Sequence, residues 1–210
     1  MTREQTAAQL LDVAGETFAA EAGITLDDKP APLYRLLVLA VLLSSRVQAK
    51  LGTRACHELV ASGFGTPERM RDATHDEVHD ALSRGKFLSK DQTADALLDG
   101  AALVCDRWGG DLRRMRSEAD GDTEALTGLL TEVPRLGPVG ASIFVREVQA
   151  VWPEFRPHLD DKALDGAEAA GLPRDAHALA SLVSADDLAR FAAALVRAGL
   201  SDDVAEQVGS

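Results

Sequence analysis

Apolar residues recur at helical spacing along the chain, and no run alternates with the two-residue period of a half-buried strand. Thr2 to Ala22 carries Leu10, Leu11, Val13, Phe18 and Ala22 on one stripe, with Thr2 placed to cap and Gly23 to stop, which predicts one first helix. A polar, proline-bearing linker, Asp27–Pro32, follows. Leu33 to Ser45 is apolar on nearly every side, the pattern of a helix at the centre of a helical protein. Lys50–Ala61 predicts the next helix, closed by Ser62-Gly63. Thr66 caps a short turn, Thr74 caps His75–Arg84 with Glu77 in the capping-box position, and Gly85–Ser89 is a loop. A long helix over Lys90–Trp108 ends at Gly109-Gly110. Arg113–Glu118, Thr123–Val133, Ala141–Val151, Lys162–Ala170, Asp175–Val183 and Ala185–Ala198 complete the predicted set.

This order of elements makes the chain all-α, a two-lobed helical fold occupying residues 1–210 as a single unit. Helices from about 33 to 157 are expected to form one lobe. The first helix (1–30) and the C-terminal helices (160–210) are expected to form the other, with the groove between lobes as the natural site.

Composition agrees. Hydrophobic residues make up 46% and aromatics 4%, so the core must be built from Leu, Val and Ala, a mix that favours helices over a β-sandwich. No apolar run reaches the roughly 18 residues that span a bilayer, and MTREQTAAQ lacks the plan of a signal peptide. The expected location is cytoplasmic, nucleoid-associated in a bacterium. The net charge of −12 opposes a nucleic-acid role. Bases nevertheless cluster as Arg46/Lys50/Arg54, Arg84/Lys86/Lys90, Arg113/Arg114/Arg116 and Arg135/Arg146, so a local positive face is compatible with a globally acidic chain. Cys56 and Cys105 are far apart and no CxxC exists, which argues against a zinc ribbon or an iron–sulfur cluster and for two buried thiols. His75 and His79 share a helix face, but the acid between them is one place late for HExxH and no third ligand is evident. They read as an exposed helix face, and no metal ligand set is expected.

The stretch that organises the rest is Leu129–Leu159 with the Asp160 behind it. Two apolar helical patterns flank the hairpin PRLGPVG, within 133–141. Pro138 suits a first helical position, and Gly137 and Gly140 allow close backbone approach. The amides around Gly140 and Ala141 are then expected at a helix N-terminus, where backbone donors and the helix dipole bind a phosphate oxygen without net positive charge. Trp152, Phe155 and His158 stand just before the acid, as pocket lining or, for Trp152 above all, as core.

The motif Leu130-x-x-Val133-Pro134-x-Leu136-Gly137-Pro138-Val139-Gly140-Ala141-x-Ile143-Phe144 resembles the helix–hairpin–helix of the HhH-GPD base-excision DNA glycosylases, endonuclease III-like members above all. LLSSRVQAK (42–50) resembles that family's LLSxQxxD segment and GKFLSKDQTADAL (85–97) its G-[LF]-[YH]-xxKA stretch, in the family's order, so the resemblance runs from about Pro32 to about Pro173. It implies hydrolysis of the N-glycosidic bond of a damaged or mismatched base flipped out of double-stranded DNA. Asp160, or its neighbour Asp161 if the alignment shifts by one, would stabilise the charge developing on the sugar. The competing role for either acid is a helix N-cap.

The resemblance places Arg46, Gln48, Lys86, Phe87, Leu136, Gly137, Val139, Gly140 and Ala141 at the DNA, with Arg46 filling the gap left by the base or contacting its estranged partner, and Phe87 either wedging into the stack or standing as a buried aromatic. The position it assigns to a Schiff-base lysine is held by Val139, which cannot form an imine, and Lys162 does not match that lysine. A monofunctional enzyme is expected, a monomer without an iron–sulfur cluster, for which the family allows a monovalent cation at the hairpin carbonyls. The other reading is a catalytically degenerate helix–hairpin–helix module that binds DNA or protein.

Overall fold

The computed structural model describes residues 1–45, 47–201 and 204, and its regular structure is helical. In chain order the helices are α1 (Arg3–Ala14), α2 (Phe18–Glu21), α3 (Pro30–Leu43), α4 (Ala49–Ala61), α5 (Pro67–Arg71), α6 (His75–Arg84), α7 (Lys90–Trp108), α8 (Leu112–Ala119), α9 (Thr123–Leu130), α10 (Pro138–Val148), α11 (Asp161–Ala169), α12 (Ala176–Ala180) and α13 (Leu188–Leu200). Single 3-10 turns occur at Pro153–Phe155 and Ala185–Asp187. The chain divides into two compact units: Met1–Phe18 with Arg146–Ser210, and Ala19–Val145.

In the second of these units α3 is the axis. Leu33, Tyr34 and every residue from Leu36 to Leu42 are buried, so the apolar run reads correctly as a central helix. It starts three residues before the sequence suggests, because Pro30 and Pro32 occupy the first turn, where a missing N–H removes no hydrogen bond. α4, α7 and α8 pack on α3, α6 bridges α4 and α7, and α9 lies on α8.

In the other unit α13 packs against α1 and α11. The α11–α13 approach is close enough to need glycine. A Cβ at Gly166 would run into the Leu195 carbonyl, 2.6 Å from its carbon, and would stand 3.0 Å from the Gly199 nitrogen.

The expected first helix is broken. α1 ends at Ala14 with Gly15 as its cap. The freed carbonyls are claimed from α13: Arg190 Nε donates to Gly15 O at 3.1 Å, and Arg197 Nη1 donates to Ala14 O at 3.1 Å and to Glu16 O. The arginines that stop the helix lie at the other end of the sequence.

Candidate nucleic-acid interface and acidic site

Three stretches distant in sequence meet within the Ala19–Val145 unit. The hairpin turns at Val133–Leu136, where the Leu136 N–H donates to Val133 O at 3.0 Å, and Arg135 takes a φ of +61°. Its underside is close-packed. A Cβ built at Gly100 of α7 would stand 3.2 Å from Val133 Cγ1, and one at Gly140 would stand 2.6 Å from Leu136 Cδ1 and 3.0 Å from Ser44 Cβ. Gly140 therefore needs its missing side chain to let α10 approach the end of α3. Ser44 Oγ donates to Val41 O at 2.8 Å and lies 3.5 Å from Arg135 O. Arg135 Nη1 donates to Gln92 Oε1 at 2.7 Å, tying the hairpin to the first turn of α7. The hairpin, the segment after α3 and the loop before α7 thus form one locality.

α10 begins at Pro138, so the N–H groups of Gly137, Val139 and Gly140 have no intrahelical acceptor. Gly137, Pro138 and Val139 are exposed, Val139 by 66%, while Gly140 is buried. The donors sit one residue earlier than the sequence reading put them. The Ala141 N–H is already bonded to Gly137 O at 2.9 Å. Leu136 and Ala141 are buried, so their side chains hold the turn and are not presented to a ligand. Around Gly137 nothing lies within 4 Å of a would-be Cβ, so this face is open.

The loop between α6 and α7 decides between the two readings of Phe87. Its N–H groups close α6 in two steps, Lys86 to Ser83 O at 2.9 Å and Phe87 to Leu82 O at 3.0 Å, with Lys86 left-handed at φ +59°. This is the Schellman pattern, in which the residue after the left-handed one turns its side chain back onto the helix. Phe87 is accordingly 1% exposed and cannot act as a wedge as it stands; the apolar tip is Leu88, 74% exposed. Lys86 is exposed beside it, and exposed Gln48 is the N-cap residue of α4. Arg46 lies outside the described residues.

The acid belongs to the Met1–Phe18/Arg146–Ser210 unit. Asp160 is the N-cap of α11 and its Oδ1 accepts the Ala163 N–H at 2.9 Å. Its Oδ2 is ion-paired with Arg146 Nη1, and the two side chains are 9% and 4% exposed. The sequence groups Arg146 with Arg135 as a base of a local positive face; the structure buries it. Its guanidinium lies over the Phe18 ring, 5.2 Å from the centroid, and Nε stands 3.8 Å from Glu147 Oε1. Capping alone leaves one carboxylate oxygen free; the arginine takes the other.

Gln149, 1% exposed, fixes the approach to this acid. Its Nε2 donates to Arg146 O at 2.9 Å and to His158 O at 2.8 Å, and its Oε1 accepts the His158 N–H at 3.0 Å. Arg156 Nε donates to Gln149 O at 2.7 Å, completing the tie. Trp152 and Phe155 pack in the core with ring centroids 6.0 Å apart. Asp161 is 94% exposed, 3.9 Å from Arg174. Sequence reasoning missed Arg146 and Gln149. The available signal was three polar residues, Arg146, Glu147 and Gln149, in the inward run IFVREVQ.

No protein-family model matches the chain, and no curated protein matches it. A solved structure does: a trapped endonuclease III–DNA covalent intermediate in an estranged-adenine complex, at 15% identity and a TM-score of 0.52, over 93% of this chain and 85% of that one. The chain has the endonuclease III fold. At this identity the likeness carries the architecture and not the chemistry. Within that endonuclease III fold the hairpin, the Ser44 segment and the Lys86–Leu88 loop occupy one locality of one unit, and Asp160 caps α11 in the other. Among the described residues no helix is long and apolar enough to cross a membrane.

Proposed function

We propose that the chain is a DNA glycosylase that removes a damaged or mismatched base from double-stranded DNA. The reading starts from the fold, shared over nearly the whole chain with an endonuclease III captured on DNA, and is carried by the exposed turn at the start of α10. The exposed turn Gly137–Val139 supports it, because open N–H groups at a helix start suit a phosphate oxygen. Backbone donors suffice there, which reconciles DNA binding with a net charge of −12. Lys86 and Lys90 would add positive charge, Leu88 would enter the stack, and Gln48 and Arg46 would meet the space left by the base.

In this reading Asp160 faces the sugar as its glycosidic bond breaks and stabilises the positive charge that develops. Its N-cap bond fixes the carboxylate in place, and the ion pair with Arg146 lowers the field it projects. α10 contains no lysine that could form a Schiff base, so the enzyme is monofunctional and leaves an intact abasic site. With two cysteines distant in sequence, Cys56 and Cys105, it would act without an iron–sulfur cluster held by this chain. The hairpin carbonyls would admit a monovalent cation.

One observation favours a second reading, a DNA-binding module without chemistry: both oxygens of Asp160 already have partners. Incubation with duplexes carrying alkylated, deaminated, oxidised or mismatched bases separates the two. The glycosylase yields strands cut only after alkali, and Asp160→Asn abolishes the product while duplex affinity stays. Binding without excision of any base supports the second reading.

A further inference from the structure

α6 and α7 place together a group of side chains that neither helix shows alone. His75 and His79, one turn apart on α6, stack with ring centroids 6.1 Å apart and an interplanar angle of 22°. Facing them on α7 are Asp91 and Asp95, also one turn apart. His79 Nε2 lies 3.5 Å from Asp91 Oδ1, and His75 Nε2 lies 3.6 Å from Asp95 Oδ1 and 3.4 Å from Asp91 O. Both Nε2 atoms therefore converge on the same turn of α7. The opposite nitrogens face a second pair of acids: His75 Nδ1 is 3.7 Å from Asp76 and His79 Nδ1 is 3.8 Å from Asp80.

We infer that this His75/His79/Asp91/Asp95 cluster is a binding site for a divalent transition-metal ion, of which Zn2+ is the natural probe. The Nε2-to-carboxylate separations are too long for good hydrogen bonds. Two histidines one turn apart on α6 and two aspartates one turn apart on the facing α7 are nitrogen and oxygen donors of the types a four-coordinate zinc ion takes. Two imidazoles with two carboxylates form a neutral site with Zn2+, and the mixed nitrogen–oxygen set selects it over Mg2+ or Ca2+. Among the described residues no three donors yet surround one metal position, so the side chains must rotate to close the site. Their exposures, 38% and 29% for the histidines and 83% and 67% for Asp91 and Asp95, leave that rotation free and the ion an open path. The third ligand missing from the sequence reading comes from the neighbouring helix. A bound ion would pin α6 to α7 on either side of the loop that carries Lys86 and Leu88.

The test is calorimetric titration of the untagged full chain with Zn2+, with Co2+ absorption as a spectroscopic readout. The expected result is one ion per chain at micromolar affinity, a tetrahedral Co2+ spectrum and a higher melting temperature with Zn2+. The double variant His75→Gln/His79→Gln loses all three, and Asp91→Asn/Asp95→Asn weakens binding at least about tenfold, with unchanged far-ultraviolet circular dichroism in both. Absence of binding by the wild type overturns the inference. So does stoichiometric binding that survives loss of the His75/His79 pair, which would put the ion elsewhere.

Discussion

Arg146 and Asp160 form the pair on which the acidic site depends, and their burial sets what happens when it is broken. Removing one partner of a buried ion pair leaves an uncompensated charge and costs about 3–5 kcal/mol. Arg146→Ala is therefore expected to lower the urea midpoint by an amount equivalent to several kcal/mol. A loss below about 1 kcal/mol would mean that the carboxylate is hydrated and the pair dispensable. The cysteines give a second residue-scale test. Burial pushes the Cys56 thiol up to about 12, and burial also raises that of Cys105, which is only partly buried. In the native chain at neutral pH a thiol reagent should label Cys105 slowly and Cys56 only on unfolding; labelling of both at one rate would contradict the core placement of Cys56. What could not be read at this scale was direction. By sequence Arg146 falls in a basic cluster, and Phe87 fits a wedge or a buried aromatic equally well. A helix's inward register decided the first, and the geometry of a left-handed helix end decided the second.

At the scale of elements, helical periodicity and caps were legible. Thr74 and Glu77 form the expected capping box, and Pro138 opens α10. Boundaries set from a distance were not: α1 stops where Arg190 and Arg197 take its carbonyls, a contact no local pattern announces. Two helix tests follow. Gly166→Ala must push α11 from α13 and should cost at least about 1–3 kcal/mol, read by denaturant unfolding; a neutral effect would deny the close approach. Gly137→Leu enters open space and should leave stability within about 0.5 kcal/mol while weakening duplex binding for every sequence alike. Unchanged affinity would remove the hairpin from the interface. The junction of α7 and α8 is pH-sensitive in one direction. The Trp108 indole N–H, at 2.9 Å, and then the Arg107 guanidinium hold the Glu118 carboxyl below its ordinary value. A depressed folded pKa contributes stability above the unfolded value and loses it as pH falls through the folded one. Glu118→Gln should therefore flatten the fall in urea midpoint on the acid side of the ordinary glutamate range; an identical fall in both proteins would contradict the assignment.

For the whole molecule, the sequence disclosed an all-α fold and the likeness to the endonuclease III architecture, which the match over 93% of the chain supports. It could not disclose which distant residues meet, as Arg135 with Gln92 or the α6 histidines with the α7 acids. On the proposed function, an acidic chain holding DNA through backbone donors and a few lysines should show a shallow salt dependence. With about two to four phosphates neutralised, the slope of log K against log salt should be roughly −2 to −4. The most direct measurement of the central claim is excision from a panel of lesion-bearing duplexes, with wild type and Asp160→Asn side by side. The account predicts abasic product from at least one lesion, strand scission only after alkali, and no product from the variant at undiminished affinity. Excision at the same rate by Asp160→Asn, or no excision of any base by a wild type that binds the duplex, would contradict it.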